Sequence, residues 1–195
     1  MRQQHAWEEA QAWERSWWLN NPQCYQQEIK KGDIVAGWMG IRDMPTQAVV
    51  DIGCGPFSLL QRVVVRAGYA VDPIDYGPLE LGYTTAGIKR ICCRGEDLLA
   101  NVPGMQFDEA WIYNCLQHVE DPTAVITQAM RCAQRVRLFE WINIPPYQGH
   151  LHMLTAAGLA QPFAQAGWHT DFSFIGQADF DGLNGSFYVG VFRPA

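Results

Sequence analysis

The chain has 195 residues, 48% of them hydrophobic and 17% charged, with 20 Asp and Glu against 14 Lys and Arg and a formal net charge of −6. That composition suits a single globular domain with a full core and excludes a disordered chain. The lack of a long basic run disfavours wrapping of nucleic acid, and no apolar run approaches the roughly 20 residues that a membrane-spanning helix needs.

Residues 5–45 hold Trp7, Trp13, Trp17, Trp18 and Trp38 among charged residues and read as helical, with a break near Asn20-Asn21-Pro22. This segment, 1–45, reads as a helical cap that packs its aromatic side chains onto the domain, closes over a ligand, or does both. It is too polar at its start for a secretory leader. From Ala48 the pattern alternates over 46–195. Strand 48–52 is followed by a helix over 57–67 with Gly68 as its stop, then strand 69–72, helix 79–86, strand 89–93 and strand 108–114. A helix capped by Asp121 with Pro122 in its first turn runs to about Gln134, and strand 135–141 follows. Thr155 caps a helix to Ala166, stopped by Gly167, and strands 168–177 and 186–193 close the chain. Alternating strands and helices imply an α/β domain, a parallel sheet with helices on both faces. The closing pair implies an antiparallel edge.

The most informative stretch is 49–56, Val-Val-Asp-Ile-Gly-Cys-Gly-Pro. It reads as a buried strand that turns through Gly53 and Gly55 into a helix, whose positive N-terminal dipole end would face a ligand. A dinucleotide-binding turn has a third glycine three residues on. Here Pro56, Phe57 and Ser58 follow instead. Asp51 stands just before the glycines, where it would repel a pyrophosphate and would suit an amino group or a cation.

In an open parallel sheet, ligands bind beyond the carboxyl ends of the strands. Polar residues fall at those ends in succession: Asp51, Asp72, Glu96-Asp97, Asn114 with Gln117 and His118, and Glu140. Asp72 lies 21 residues after Asp51 (72 − 51), where a carboxylate can accept from both hydroxyls of a ribose. Asp75 is the fallback. Glu96 or Asp97 can accept from an adenine amino group beside the apolar Leu98. His118, His150 and His152 are candidate general bases for an acceptor that must lose a proton, and Glu140 could pair with one of them. Six cysteines without a C-x-x-C pair disfavour zinc, so no metal is expected. They fit a reducing, cytoplasmic compartment.

Asp51-Ile-Gly-Cys-Gly-Pro56 resembles the first motif of the class I S-adenosylmethionine-dependent methyltransferases. The run Asp108 to Pro122, containing Asn114-Cys-Leu-Gln-His-Val-Glu-Asp-Pro122, resembles the fourth motif of the small-molecule members, and Gly149-His-Leu-His-Met-Leu-Thr155 resembles their segment after strand five. The resemblance covers about residues 45–193. It departs at Phe57, where many members keep a third glycine. Asn143-Ile-Pro-Pro-Tyr147 follows strand five, not four, so it is not the signature of amino-methylating DNA enzymes.

The resemblance implies a three-layer Rossmann-like fold with a seven-stranded, mostly parallel sheet and an antiparallel last strand, here preceded by N-terminal helices. It implies S-adenosyl-L-methionine as cofactor, with Asp51, Gly53 and Gly55 at the methionine end, Asp72 on the ribose, Glu96 or Asp97 near adenine and Asn114 at the rim. It also implies methyl transfer to a small-molecule or sugar-like acceptor. Two rival readings are a non-catalytic binding protein of the same fold and a nicotinamide-dependent Rossmann enzyme. Asp51 and the missing third glycine argue against the last.

Overall fold

The computed structural model describes residues 2–80, 83, 86–180 and 183–195. Helices α1 (Arg2–Asn20) and α2 (Cys24–Trp38) come first. Pro22 between them cannot continue a helix interior. The side-chain amides of Asn20 and Asn21 donate to the carbonyls of Ser16 and Trp17, and the second of these is an acceptor that the last turn of α1 leaves open.

Seven strands form one sheet: β1 (Met44–Ile52), β2 (Val65–Val71), β3 (Lys89–Ile91), β4 (Glu109–Tyr113), β5 (Val136–Ile142), β6 (His169–Phe180) and β7 (Leu183–Arg193). Their order is β3-β2-β1-β4-β5-β7-β6. The pairs from β3 through β5 are parallel, and β7 runs antiparallel between β5 and β6. This is the expected Rossmann-like sheet. Its order reverses between β1 and β4, which makes that junction the switch point where a crevice opens.

β4 and β5 are buried along their whole length, as central strands covered on both faces must be. On one face Val50, Ile52, Ile112 and Leu138 pack under helices α3 (Pro122–Cys132) and α4 (Ala156–Gln165). On the other, Val49, Trp111, Phe139 and Trp141 meet Val35 and Met39 from the α2 side. The caps read from sequence form. Asp121 accepts from the N–H groups of Thr123 and Ala124, and Thr155 accepts from Gly158 N–H. Among the described residues, no helix is long and apolar enough to cross a membrane.

The helix expected over 57–67 does not form. Ser58 accepts from Leu60 N–H, one 3-10 turn follows at Leu59–Arg62, and the chain enters β2 at Val65. Val63, Val64 and Val65 are β-branched in succession, and their restricted side-chain torsions suit a strand better than a helix. Gly68, expected as a helix stop, lies within β2 opposite Val49. The helix-dipole contribution expected just beyond the glycines therefore falls away. Of the helix expected over 79–86, residues 81, 82, 84 and 85 lie outside the described residues, and Leu79 and Glu80 belong to a 3-10 turn at Gly77–Glu80.

Candidate functional site

At the switch point the chain leaves β1 through Gly53 and Gly55, both with positive φ, +70° and +58°. The N–H groups of Gly53 and Cys54 both donate to the carbonyl of Val71, fastening the turn to the end of β2. Gly53 has no room for a side chain: a Cβ there would stand 2.4 Å from Cβ of Cys115. At Gly55 a Cβ would meet nothing within 4 Å, so this part of the turn faces open space.

Two hollows flank this turn, of about 560 and 380 Å³ including their open mouths. Gly53, Asp72, Cys115, His118 and Gln11 line both. The first also takes in Gly55, Asn114, Tyr76, Tyr113 and the carboxylates of Glu14 and Glu28, with no Lys or Arg in its lining. The second is a slot between Ile52, Pro73, Val119 and Trp7, with Glu96 and Arg94 at its side.

Asp72 sits where the hollows meet. Its two oxygens accept from Gly55 N–H and Ile74 N–H, at 3.0 and 2.9 Å. Burial pushes its carboxyl up to about 6, opposed by those N–H donors and the charge of Arg90. Asp75 is exposed and lies outside both hollows; its carboxylate accepts from Gly77 N–H. Glu96 Oε1 accepts from the N–H groups of Glu120 and Asp121. Asp97 is exposed and lines neither hollow. Asn114 holds a left-handed backbone, φ 52°, and its side-chain oxygen accepts from Gln117.

Asp51 is placed differently from the expectation that it faces a ligand. It is buried and outside both linings, and its Oδ2 accepts from Ser58 Oγ at 2.6 Å and from Leu59 N–H at 3.2 Å. It shares a strand face with Val49, turned into the layer under α2. Burial raises its carboxyl to about 7. Its role in the fold is to tie the segment after the glycines back onto β1.

Glu140 also departs from expectation, because it pairs with no histidine. It is fully buried, and its Oε1 accepts from both Cys115 N–H and Leu116 N–H, at 2.9 and 3.0 Å. It thereby holds the loop after β4 that carries Asn114 and His118. Burial pushes its carboxyl up to about 8.

Of the three candidate histidines, only His118 lines the hollows. Its Nδ1 lies 2.9 Å from the carbonyl of Gly149, a contact that assigns the proton to Nδ1. The ring of His150 packs edge-on behind it at 4.5 Å, and burial and His118 hold His150 down to about 3. His152 turns elsewhere: its Nε2 contacts the carbonyl of Val119, and it lines a separate hollow with Pro122 and Thr155.

In fold the chain is similar to solved S-adenosylmethionine-dependent methyltransferases, and in sequence to a curated O-methyltransferase. It is 29% identical over 153 residues to the ubiquinone biosynthesis O-methyltransferase of Neisseria meningitidis serogroup C (strain 053442), a match that takes in 72% of this chain and 62% of that protein. The chain thus spans less than two thirds of the length of the curated relatives it matches. Among solved structures it resembles the magnesium protoporphyrin IX methyltransferase of Synechocystis PCC 6803 with bound S-adenosylmethionine, at TM-score 0.60 and 18% identity over 87% of this chain and 80% of that one. It also resembles the 1,6-didemethyltoxoflavin-N1-methyltransferase of Burkholderia thailandensis, at TM-score 0.63 and 17% identity over 94% and 88%. No family model matches the chain.

Several residues of this methyltransferase-fold site were missed in the sequence. Trp7, Gln11, Glu14 and Trp18 all line one or both hollows. Their spacing of four, three and four residues puts them on one face of α1, a signal that was present in the sequence. Gln11 donates to the carbonyl of His118, and Trp13 packs against Gly149, where a Cβ would stand 2.5 Å from the indole. Tyr83, whose hydroxyl donates to the carbonyl of Gly55 at 2.6 Å, gave no such signal.

Proposed function

We propose that the chain binds S-adenosyl-L-methionine across the two hollows and catalyses transfer of its methyl group to a small-molecule acceptor. The observation that carries this reading is the meeting of both hollows at Gly53 and Asp72. The turn is open at Gly55, where a side chain would meet nothing and a ligand can approach the backbone, and a carboxylate stands at the midpoint. A first hollow with the carboxylate of Glu14 in its lining and no cation suits a ligand that is positively charged at one end, and an apolar slot suits a flat ring at the other. The residues present therefore fit the cofactor.

In this reading Gly53 and Gly55 lie against the methionine part and Asp72 accepts from the ribose. Glu96 lies near the adenine amino group, with Asp97 as its outer neighbour, and Asn114 contributes at the rim. Asp51 acts through Ser58 on the shape of the turn. When bound, the cofactor supplies a methyl group on a sulfonium centre, already activated for in-line displacement. The protein's part is then alignment and exclusion of water. α1 closes the mouth with Trp7, Gln11 and Trp18. His118, braced by His150, Gly149 and Gln11, holds the boundary between the hollows. His152 lies outside them. The sequence likeness to an O-methyltransferase supports a hydroxyl as acceptor. Six cysteines without a disulfide support a reducing, cytoplasmic setting.

Calorimetry with S-adenosylhomocysteine tests the reading. Binding should be saturable and should raise the melting temperature, because a ligand of the native state stabilises it by mass action. No heat and no thermal shift at millimolar ligand would sink it.

A further inference from the structure

The two hollows assigned to the cofactor do not say where the acceptor enters. A third hollow, of about 1110 Å³ including its open mouth, lies between α1, α2 and the end of β6. Its walls include Trp17, Trp18, Ile34 and Phe180. Ile34 is 46% exposed, an apolar side chain left facing solvent at the mouth. Trp18 and Glu28 line this hollow and the first one alike, so the two spaces meet there.

Glu28 is thus a carboxylate at the passage between the cofactor side and an aromatic-walled entrance. It is held in place from two sides. Oε1 accepts from the hydroxyl of Tyr113 at 2.6 Å, and Oε2 lies 2.7 Å from Lys31 Nζ. Glu28 and Lys31 are 17% and 11% exposed at their side chains. A carboxylate offers about four acceptor positions. Tyr113 and Lys31 occupy one on each oxygen and leave room for a donor from the cavity. Lys31 balances the charge, and Tyr113, buried in the floor, fixes the direction of the carboxylate.

Resting on the reading given under Proposed function, we propose that Glu28 is the catalytic base of this site. The acceptor is a flat, apolar ring compound bearing a hydroxyl, and it enters through the third hollow with its ring against Trp17 and Trp18. The hydroxyl O–H bond breaks and its proton passes to Glu28. The electron pair left on oxygen forms the new bond to the methyl carbon, while the carbon–sulfur pair departs with sulfur. The proton leaves through the open mouth. The walls explain the class of acceptor: stacked or edge-on aromatic contact with Trp17 and Trp18 favours a flat ring.

The test uses 1-naphthol, phenol and 4-nitrophenol as probes, with S-adenosylhomocysteine bound for crystals and S-adenosylmethionine for turnover. Soaked crystals should show a probe ring beside Trp17 with its hydroxyl in hydrogen-bond reach of Glu28. Glu28→Gln should keep S-adenosylhomocysteine affinity within about twofold and lower methyl ether formation by roughly 100-fold. Trp17→Ala, which touches only the third hollow, should weaken probe binding and leave S-adenosylhomocysteine binding unchanged; this variant decides the matter if Glu28→Gln does not fold. Loss of S-adenosylhomocysteine affinity by about tenfold or more in Glu28→Gln would mean that Glu28 holds the cofactor's amino group, and would overturn the proposal alone. Probes seated elsewhere, or unchanged transfer in Glu28→Gln, would also overturn it. A wild-type protein that binds no S-adenosylhomocysteine would overturn the underlying reading together with this one.

Discussion

Gly53 and Cys115 touch so closely that no other residue fits at position 53: a Cβ there would lie 2.4 Å from Cβ and 2.5 Å from Sγ of Cys115. Two costs are separable at this contact. One is the overlap with Cys115, and the other is the left-handed backbone, which costs a non-glycine residue about 1–2 kcal/mol. Gly53→Ala should therefore destabilise the fold by about 2–4 kcal/mol in urea unfolding. The double variant Gly53→Ala with Cys115→Gly should recover the steric part and retain the backbone part. Full recovery would show that φ carries no cost, and no recovery would show that Cys115 is not the obstacle.

Asp72 and Asp51 are both buried acids at the end of β1 and β2, yet they should behave oppositely toward ligand. Asp72→Ala should weaken S-adenosylhomocysteine binding by about 1–3 kcal/mol, the range for lost hydrogen bonds to a charged group. Asp51→Asn, which keeps an acceptor for Ser58, should change binding less and unfolding more. Calorimetry and denaturant unfolding of both variants decide this. Equal losses of affinity would return Asp51 to direct contact with the ligand.

Stability should fall as pH rises from about 6.5 to 8.5. Asp51 and Glu140 have folded values of about 7 and 8, above ordinary values of 3.8 and 4.5, chiefly through burial. Groups raised in this way bind their protons more tightly in the native state. Their stabilisation is fully present below the unfolded value and is lost as pH climbs through the folded one. His150, lowered to about 3, has the opposite sign, but its contribution is lost only as pH falls below its ordinary 6.5. The loss across the window should be on the order of 1–3 kcal/mol. Glu140→Gln, a neutral isostere, should show a shallower fall than the wild type between pH 6.5 and 8.5. Parallel unfolding curves for the two proteins would refute the assignment to Glu140.

The histidines should separate by position. His118→Ala removes a side chain shared by both hollows and the donor that holds Gly149, so S-adenosylhomocysteine affinity should drop by about 1–2 kcal/mol. His152→Ala should leave affinity and turnover near wild type, because its ring lies in another hollow. A titration series on both variants checks this, and a larger loss in His152→Ala would be contrary to the placement described here.

The order of strands and helices, the caps at Asp121 and Thr155, and the glycine turn after β1 were legible in the linear chain. Alternation, capping and turn chemistry act over a few residues, and each leaves its mark there. The fate of the buried carboxylates was not legible. Asp51 and Glu140 carry the residue type expected at a ligand rim, but each is buried and gives one oxygen to donors within the protein, Ser58 and Leu59 for one and Cys115 and Leu116 for the other. Which donor reaches a buried acid depends on strand register and on segments far apart in sequence, so no local pattern announces it. The same holds for Glu28 and for the α1 face of Trp7, Gln11, Glu14 and Trp18. Periodicity marks them as one side of a helix, and only the packing of that helix across the ends of β1 and β4 turns the side into the wall of a site. The missing helix at 57–67 is the converse case. Three valines in succession carried the strand preference openly, but the glycine turn before them suggested a helix, and side-chain packing against the sheet decided between the two.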